Sequence, residues 1–111
     1  MSEKKGIYGM KIMLCCAAGM STSLLVTKME KAAQERRVGV EILANPVSEA
    51  EEHLDVDAIL LSPQIRYAEK ATKKLVEDKI PVINIDLRSY GRMDGAKVLD
   101  DALKAIEEFN K

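Results

Sequence analysis

Two adjacent cysteines end an apolar run near the start of the chain, and a stretch of small residues follows them. The second cysteine, Cys16, directly precedes a segment that leads into a helical pattern. The sequence therefore predicts a strand, a thiol at its carboxyl end and a loop that opens a helix. A helix N-terminus presents unpaired backbone N–H groups and a partial positive charge, which bind anions. The same field favours the nucleophilic thiolate, so we predict that Cys16 accepts and passes on a phosphoryl group.

The residues after Cys16 have the character of a phosphoryl-binding loop. Small side chains let the backbone approach a phosphoryl group closely, and hydroxyl groups can donate hydrogen bonds to it or cap the helix. The sequence leaves open which hydroxyl contacts the group. The predicted loop consists of Ala17, Ala18, Gly19, Met20, Ser21, Thr22 and Ser23.

Cys15 is predicted to fill the core, because successive side chains of a strand point to opposite faces. Neighbouring cysteines rarely form an unstrained disulfide. The chain has no CxxC pair and only one histidine, so we predict neither a metal site nor a cofactor. That histidine, His53, follows an acidic stretch and is predicted to be a solvated surface residue rather than a phosphorylated one.

Size and composition are typical of one ordinary globular domain, with 111 residues and 47% apolar residues. Seventeen basic residues balance eighteen acidic ones, which gives no basic footprint for nucleic acid. No apolar run approaches the roughly 20 residues of a membrane-spanning helix, and no signal-peptide pattern is visible. We therefore expect a cytoplasmic protein, with an N-terminal extension over residues 1–9 and a single domain over residues 10–111.

Four short apolar runs alternate with helical patterns. The runs cover residues 11–15, 40–44, 58–61 and 81–85, and their Ile, Val and Leu content is typical of parallel strands buried on both faces. Helical spacing covers residues 21–37, 48–54, 63–78 and 94–109. This alternation predicts right-handed crossovers and a doubly wound sheet.

Local signals predict how these helices begin, end and pack. Gly39 is expected to stop the first helix, and Ser48 is expected to cap the short second one. The inner face of the third helix is predicted to consist of Tyr67, Ala68, Ala71, Leu75 and Val76. The inner face of the fourth is predicted to consist of Val98, Leu99, Ala102, Leu103, Ile106 and Phe109.

Ligands of doubly wound sheets bind beyond the carboxyl ends of the strands. The loops over residues 16–23, 62–66 and 86–94 are expected to converge there. Arg66, Arg88 and Arg92 are candidate phosphate contacts, although loop arginines are more often solvent-exposed. Asp86 stands where a general acid could act, but a capping or turn-forming role is favoured.

The run LCCAAGMSTSLL (residues 14–25) resembles the active-site loop of the IIB components of the sugar phosphotransferase system, in the lactose/cellobiose/chitobiose branch. The segments LSPQI (residues 61–65) and YGRMDG (residues 90–95) resemble two further family segments in the expected order. Counting back from Gly19 assigns the phosphorylated thiol to Cys16. Ala17 stands where the family commonly has Ser, so one hydroxyl contact is lost while the backbone amide remains.

The resemblance implies a three-layer α/β/α fold with a four-stranded parallel sheet and a flavodoxin-like or low-molecular-weight-phosphatase-like winding. It also implies a relay, in which Cys16 accepts a phosphoryl group from a phosphohistidine of a IIA protein. Cys16 then passes it to a sugar held by the IIC membrane permease, a β-linked disaccharide such as cellobiose, chitobiose or lactose. We expect a monomer that docks its partners transiently, with Met20 in the docking surface.

Other classes of protein remain as alternatives. Low-molecular-weight phosphotyrosine phosphatases also carry a nucleophilic cysteine on a strand–loop–helix, but they have an arginine six positions later. Here that position is Thr22 counted from Cys16, or Ser21 counted from Cys15. Losing that guanidinium removes a clamp on transition-state charge and argues against hydrolysis. A regulatory domain without transfer activity and a thiol redox protein are weaker alternatives.

Overall fold

A parallel sheet forms the centre of the protein, whose computed structural model describes residues 9–16 and 22–110. Its strands are β1 (Met10–Cys16), β2 (Val40–Pro46), β3 (Ala58–Leu61) and β4 (Val82–Asn84). They lie in the order β2-β1-β3-β4, so β1 and β3 are the two inner strands. All four predicted strands are present, with boundaries that differ by at most two residues.

The helices are α1 (Thr22–Glu35), α2 (Glu69–Leu75), α3 (Leu87–Gly91) and α4 (Gly95–Phe109). Two 3₁₀ helices, Val47–Glu52 and Pro63–Ala68, lie before β3 and before α2. One face of the sheet packs against α1, α3 and α4, and the other packs against the 3₁₀ helices and α2. The expected three-layer α/β/α fold with a four-stranded parallel sheet is confirmed.

Alternation along β1 divides the core between these two faces. Ile12 and Leu14 belong to the cluster under α1 and α4, whereas Met13 and Cys15 belong to the cluster under the 3₁₀ helices. All four side chains are fully buried. Burial on both faces explains why the strand reads as a continuous apolar run.

The end of α1 differs from the expectation that Gly39 stops it. Arg37 takes the left-handed conformation (φ 58°), its N–H donates to Gln34 O at 3.1 Å, and the Val38 N–H donates to Ala33 O at 2.9 Å. This pair of hydrogen bonds is a Schellman motif, which closes the helix before Gly39 is reached.

The short second helix is a 3₁₀ helix, and Ser48 does not cap it. Pro46 is the N-cap, in an extended conformation and without a side-chain cap bond, so the helix begins at Val47 and contains Ser48. A proline holds φ near −65°, and the N-cap at Pro46 lies two residues before the predicted one.

The third helical stretch is divided, and its predicted inner face is partly wrong. Its first six residues form a 3₁₀ helix with a non-helical residue at Ile65, and only then does α2 begin. A 3₁₀ helix has three residues per turn rather than 3.6, which shifts the phase of all that follows. Ala68 and Val76 are buried as predicted, but Tyr67, Ala71 and Leu75 are exposed and the remaining buried positions are Ile65 and Thr72.

The last helix matches its prediction closely. Asp94 caps it, accepting from the Lys97 N–H at 3.1 Å. Phe109 is the exception to the predicted inner face, being 44% exposed at the final turn, and Leu103 is half-buried. The other predicted positions, Val98, Leu99, Ala102 and Ile106, are buried.

Candidate functional site

Cys16 is the last residue of β1, at the carboxyl edge of the sheet. The chain leaves β1 towards β2 on one side and later returns to β3 on the other, so this edge is a topological switch point. Crevices at such points are where open α/β sheets bind ligands. The fold therefore positions the Cys16 thiol where the sequence predicted a phosphoryl site.

The thiol of Cys16 is held between the two neighbouring strands. Its residue is 3% exposed, and its Sγ lies 3.8 Å from the carbonyl oxygen of Asn45 on β2. A thiol is a weak donor, so the S–H form of Cys16 fits this carbonyl. On the other side, the Ser62 N–H donates to the Cys15 carbonyl at 3.0 Å and extends the β1–β3 ladder past the end of β3.

Cys15 lies on the other face of the sheet and fills the core, as predicted. It is fully buried in the cluster that also contains Met13, Leu61 and Ile65. Burial, and to a smaller extent the neighbouring Cys16, raises the pKa of the Cys15 thiol to about 11. Cys15 is therefore protonated at neutral pH, which disfavours it as the nucleophile.

The helix that follows Cys16 begins at Thr22. Its first turn contains no acidic residue, so no carboxylate competes with an incoming anion for the N–H groups of that turn. Ser23 is exposed within the helix, and its carbonyl accepts from Thr27 Oγ1 at 3.1 Å. The predicted loop residues Ala17, Ala18, Gly19, Met20 and Ser21 lie outside the described residues.

The candidate arginines are all exposed. Arg66 lies on the second 3₁₀ helix, Arg88 lies on α3, and Arg92 follows α3. Arg92 lines an open cleft between α1 and the start of α4, together with Lys28 and Lys31. Among the residues that the structure describes, no hydrogen bond joins any of these arginines to Cys16.

Asp86 caps α3, as favoured from the sequence. Its carboxylate accepts from the Ser89 N–H at 2.9 Å. This bond, with that of the Ser89 hydroxyl and the charge of Lys97, holds the pKa of Asp86 below its usual range. An ionised capping carboxylate is a poor general acid near neutral pH.

His53 is half-buried at the end of the first 3₁₀ helix, where its backbone N–H donates to Ala50 O at 3.0 Å.

Two features of this edge were missed from the sequence. Residues 86–94 were expected to form a loop, yet they contain α3, which buries Ser89 and Tyr90. An aspartate followed by a short apolar-containing turn is a helix-start signal, and it was available at Asp86. The second is Ser62, whose fully buried hydroxyl has no local pattern to reveal it.

Neither a metal cluster nor a membrane span was found within residues 9–16 and 22–110. No group of three or more His, Cys, Asp or Glu side chains is arranged there to hold an ion. None of the helices in those ranges has the length and apolar character needed to cross a bilayer.

Comparison with known proteins agrees with this fold. The family model described as "PTS system, Lactose/Cellobiose specific IIB subunit" matches residues 11–101. The oligo-beta-mannoside-specific EIIB component of Bacillus subtilis (strain 168) is 41% identical over 98 residues, covering 86% of this chain and 95% of its own. The galactose-specific EIIB component of Lactococcus lactis subsp. cremoris is 41% identical over 95 residues, covering 79% and 88%.

A solved structure supports the same relationship. The solution structure of the cellobiose-specific phosphotransferase IIB component from Borrelia burgdorferi superposes with a TM-score of 0.75 at 39% sequence identity. The match covers 89% of this chain and 93% of that one.

The protein is a phosphotransferase component of a sugar phosphotransferase system, with an α/β domain and a cysteine at the switch point of its sheet. The chain belongs to the lactose/cellobiose-specific IIB family.

Proposed function

We propose that Cys16 carries the phosphoryl group in this protein. The observation that carries the proposal is its position at the carboxyl end of β1 and at the switch point, in the strand that precedes α1 in the chain. The anion-binding character of a helix N-terminus supports a phosphoryl group at this point. The loop from Ala17 to Ser23 supplies backbone amides and hydroxyls around that group.

The proposed donor is a phosphohistidine of a IIA protein. The Cys16 thiolate attacks the phosphorus, the S–P bond forms as the N–P bond breaks, and the imidazole nitrogen keeps the electron pair. A thiolate is suited to this relay because it is both a good nucleophile and a good leaving group. Preorganised N–H donors stabilise the charge on the transferring group.

The proposed acceptor is a sugar held by a IIC membrane permease. A sugar hydroxyl oxygen attacks the phosphorus, its proton passes to a base on the acceptor side, and the S–P bond breaks to regenerate the Cys16 thiolate. The relatives carry the names of different sugars, which are oligo-beta-mannoside, galactose and cellobiose. We propose a β-linked disaccharide such as cellobiose, chitobiose or lactose for this chain, and the cytoplasm as its location.

Exposed apolar side chains support transient docking of these partners. Leu24, Tyr67 and Leu87 are 49%, 80% and 73% exposed. They lie on the elements that directly follow β1, β3 and β4, around the edge that carries Cys16. Large exposed apolar groups gathered around one site are typical of interaction surfaces. We propose that they form the docking surface of a monomer, together with Met20.

The relay is tested by intact-mass analysis after incubation with a phosphoenolpyruvate-driven phosphorelay that contains a cognate IIA. Wild type should gain one phosphoryl adduct that persists after the donor is removed. Cys16→Ser should gain none, and Cys15→Ser is the matched control that should retain the adduct. An adduct lost only in Cys15→Ser would contradict the assignment of the thiol. Steady hydrolysis of an aryl phosphate without an adduct would favour the phosphatase alternative.

A further inference from the structure

Ser62 places a hydroxyl group in a fully buried position next to the candidate site. The residue is 0% exposed, and its Oγ has no hydrogen-bond partner among the described residues. Burying a hydroxyl without a hydrogen bond is unfavourable, and such groups are rare in native structures. The Ser62 hydroxyl is therefore free to donate a hydrogen bond to a group beside it.

The β1–β3 ladder brings Ser62 beside Cys16. Cys15 pairs with Leu61, and the Ser62 N–H donates to the Cys15 carbonyl at 3.0 Å, so Ser62 is opposite Cys16 on the neighbouring strand. Neighbouring strands lie about 4.8 Å apart. Ser62 is extended (φ −67°, ψ 158°), so the alternation of β3 continues through it.

The two side chains project from the same face of the sheet. Leu14 and Leu60, two residues before Cys16 and Ser62, both belong to the core cluster under α1 and α4. Side chains at i and i+2 of a strand share a face. The Cys16 sulfur and the Ser62 hydroxyl are therefore neighbours on that face, at the carboxyl edge of the sheet.

The other neighbour of the sulfur accepts hydrogen bonds but cannot donate them. The Asn45 carbonyl lies 3.8 Å from Sγ and suits the protonated thiol. Once the thiol ionises, this carbonyl cannot donate a hydrogen bond to the sulfur, whereas a hydroxyl donor on the opposite side stabilises the negative charge.

We propose that the Ser62 hydroxyl donates a hydrogen bond to the Cys16 thiolate. The Cys16 proton leaves to solvent, Ser62 keeps its own proton, and the Ser62 side chain changes rotamer to bring its hydroxyl within hydrogen-bond distance of the sulfur. The link to phosphoryl transfer rests on the proposed function. There Ser62 favours the nucleophile before attack and the leaving sulfur when the S–P bond breaks.

The test is a pH titration of thiolate ultraviolet absorbance in wild type and Ser62→Ala, with Cys16→Ser as the blank. We expect the midpoint of the Cys16 transition to rise by about one pH unit in Ser62→Ala, because a hydrogen bond to a charged group is lost. At the same time the melting temperature at mildly acidic pH should stay equal or rise, since an unpaired buried hydroxyl is removed. Ser62→Gly, which also lacks the hydroxyl, should raise the midpoint similarly.

The matched control is Ser89→Ala, at a buried serine that hydrogen-bonds Asp86. It should lower the melting temperature and leave the Cys16 midpoint unchanged. An unchanged midpoint in Ser62→Ala, or an equal rise in Ser89→Ala, would overturn the proposal. The titration needs no partner protein. A raised midpoint in Ser62→Ala, together with no phosphoryl adduct on the wild-type protein, would refute the carrier function and leave the role of Ser62 intact.

Discussion

The two faces of the sheet are covered by layers of different regularity. On one face, α1 and α4 are helices of 14 and 15 residues, and α3 lies beside them. On the other face, two 3₁₀ helices and the seven-residue α2 cover the core. The sulfur of Cys16 and the hydroxyl of Ser62 project from the regular face, and the thiol of Cys15 projects from the irregular one.

The two faces give the two adjacent cysteines different chemistry. The alternation of β1 sends Cys15 into a closed apolar cluster, where burial keeps its thiol protonated. Cys16 follows at the strand end, between a carbonyl of β2 and the hydroxyl-bearing residue after β3. One step along a strand therefore separates a core residue from a candidate nucleophile.

The strongest effect should come from a substitution that crowds the contact between α1 and α4. Gly95 packs so closely against α1 that an added Cβ would lie 2.6 Å from the Met29 nitrogen and would also overlap the Lys28 backbone carbon. Because backbone cannot yield as a side chain does, Gly95→Ala should reduce the free energy of unfolding by about 2–3 kcal/mol. Chemical denaturation measures this change.

Gly91 provides the control for that substitution. A Cβ at Gly91 would meet nothing within 4 Å, so Gly91→Ala should change the free energy of unfolding by no more than about 0.5 kcal/mol. Equal effects at Gly91 and Gly95 would contradict the close approach of α1 and α4.

An intermediate effect is expected from Cys15→Ala on the irregular face. Removing the buried sulfur should lower the free energy of unfolding by about 1 kcal/mol at neutral pH, while the phosphoryl adduct is retained. The pKa of Cys15 is raised from 9.0 to about 11, so wild type should lose stability as the pH rises from about 9 to 11. The unfolded chain ionises this thiol freely over that range, whereas the folded protein resists it.

The alkaline loss of stability attributable to Cys15 should be absent in Cys15→Ala. Denaturant unfolding at a series of pH values measures it, with Cys16→Ala as the matched control that keeps the alkaline loss. A Cys15→Ala protein with the same alkaline loss as wild type would show that another group causes it.

The smallest effect is expected at the docking surface, where both layers contribute. Leu24 lies on α1, on one face of the sheet, and Tyr67 lies on the second 3₁₀ helix, on the other face. Leu24→Ala and Tyr67→Ala should each slow phosphoryl transfer from IIA severalfold, because exposed apolar contacts contribute modestly to transient interfaces. Met20→Glu should slow transfer in the same direction. These rates are measured by quenching the reaction with phosphorylated IIA at successive times and determining the phosphorylated fraction by intact-mass analysis.

Phe109→Ala is the control for these variants, since Phe109 is comparably exposed but lies at the far end of α4. Its transfer rate should match wild type. If only Leu24→Ala slows transfer, the partner docks on the regular layer alone, and if Phe109→Ala slows it equally, the proposed docking surface is wrong.

The same contrast explains how far the fold could be predicted. Long helices repeat their apolar period over several turns, so the inner face of α4 was read correctly at Val98, Leu99, Ala102 and Ile106. The stretch from Pro63 begins as a 3₁₀ helix, and its shorter period displaced the predicted face at Tyr67 and Leu75. A few residues cannot distinguish these two periods, and α3 is shorter still.

The four strands, the two long helices α1 and α4, the fold class and the family could all be inferred from the sequence. It also assigned Cys15 to the core, because apolar runs, small-residue turns and strand alternation are local properties of the chain. The groups on either side of Cys16, in contrast, could be identified only once the strands were seen to pair. Asn45 and Ser62 lie 29 and 46 positions beyond Cys16 in the chain, and they reach it solely because β2 and β3 pair with opposite edges of β1. Strand pairing depends on how the whole sheet buries its two faces, which no local pattern encodes.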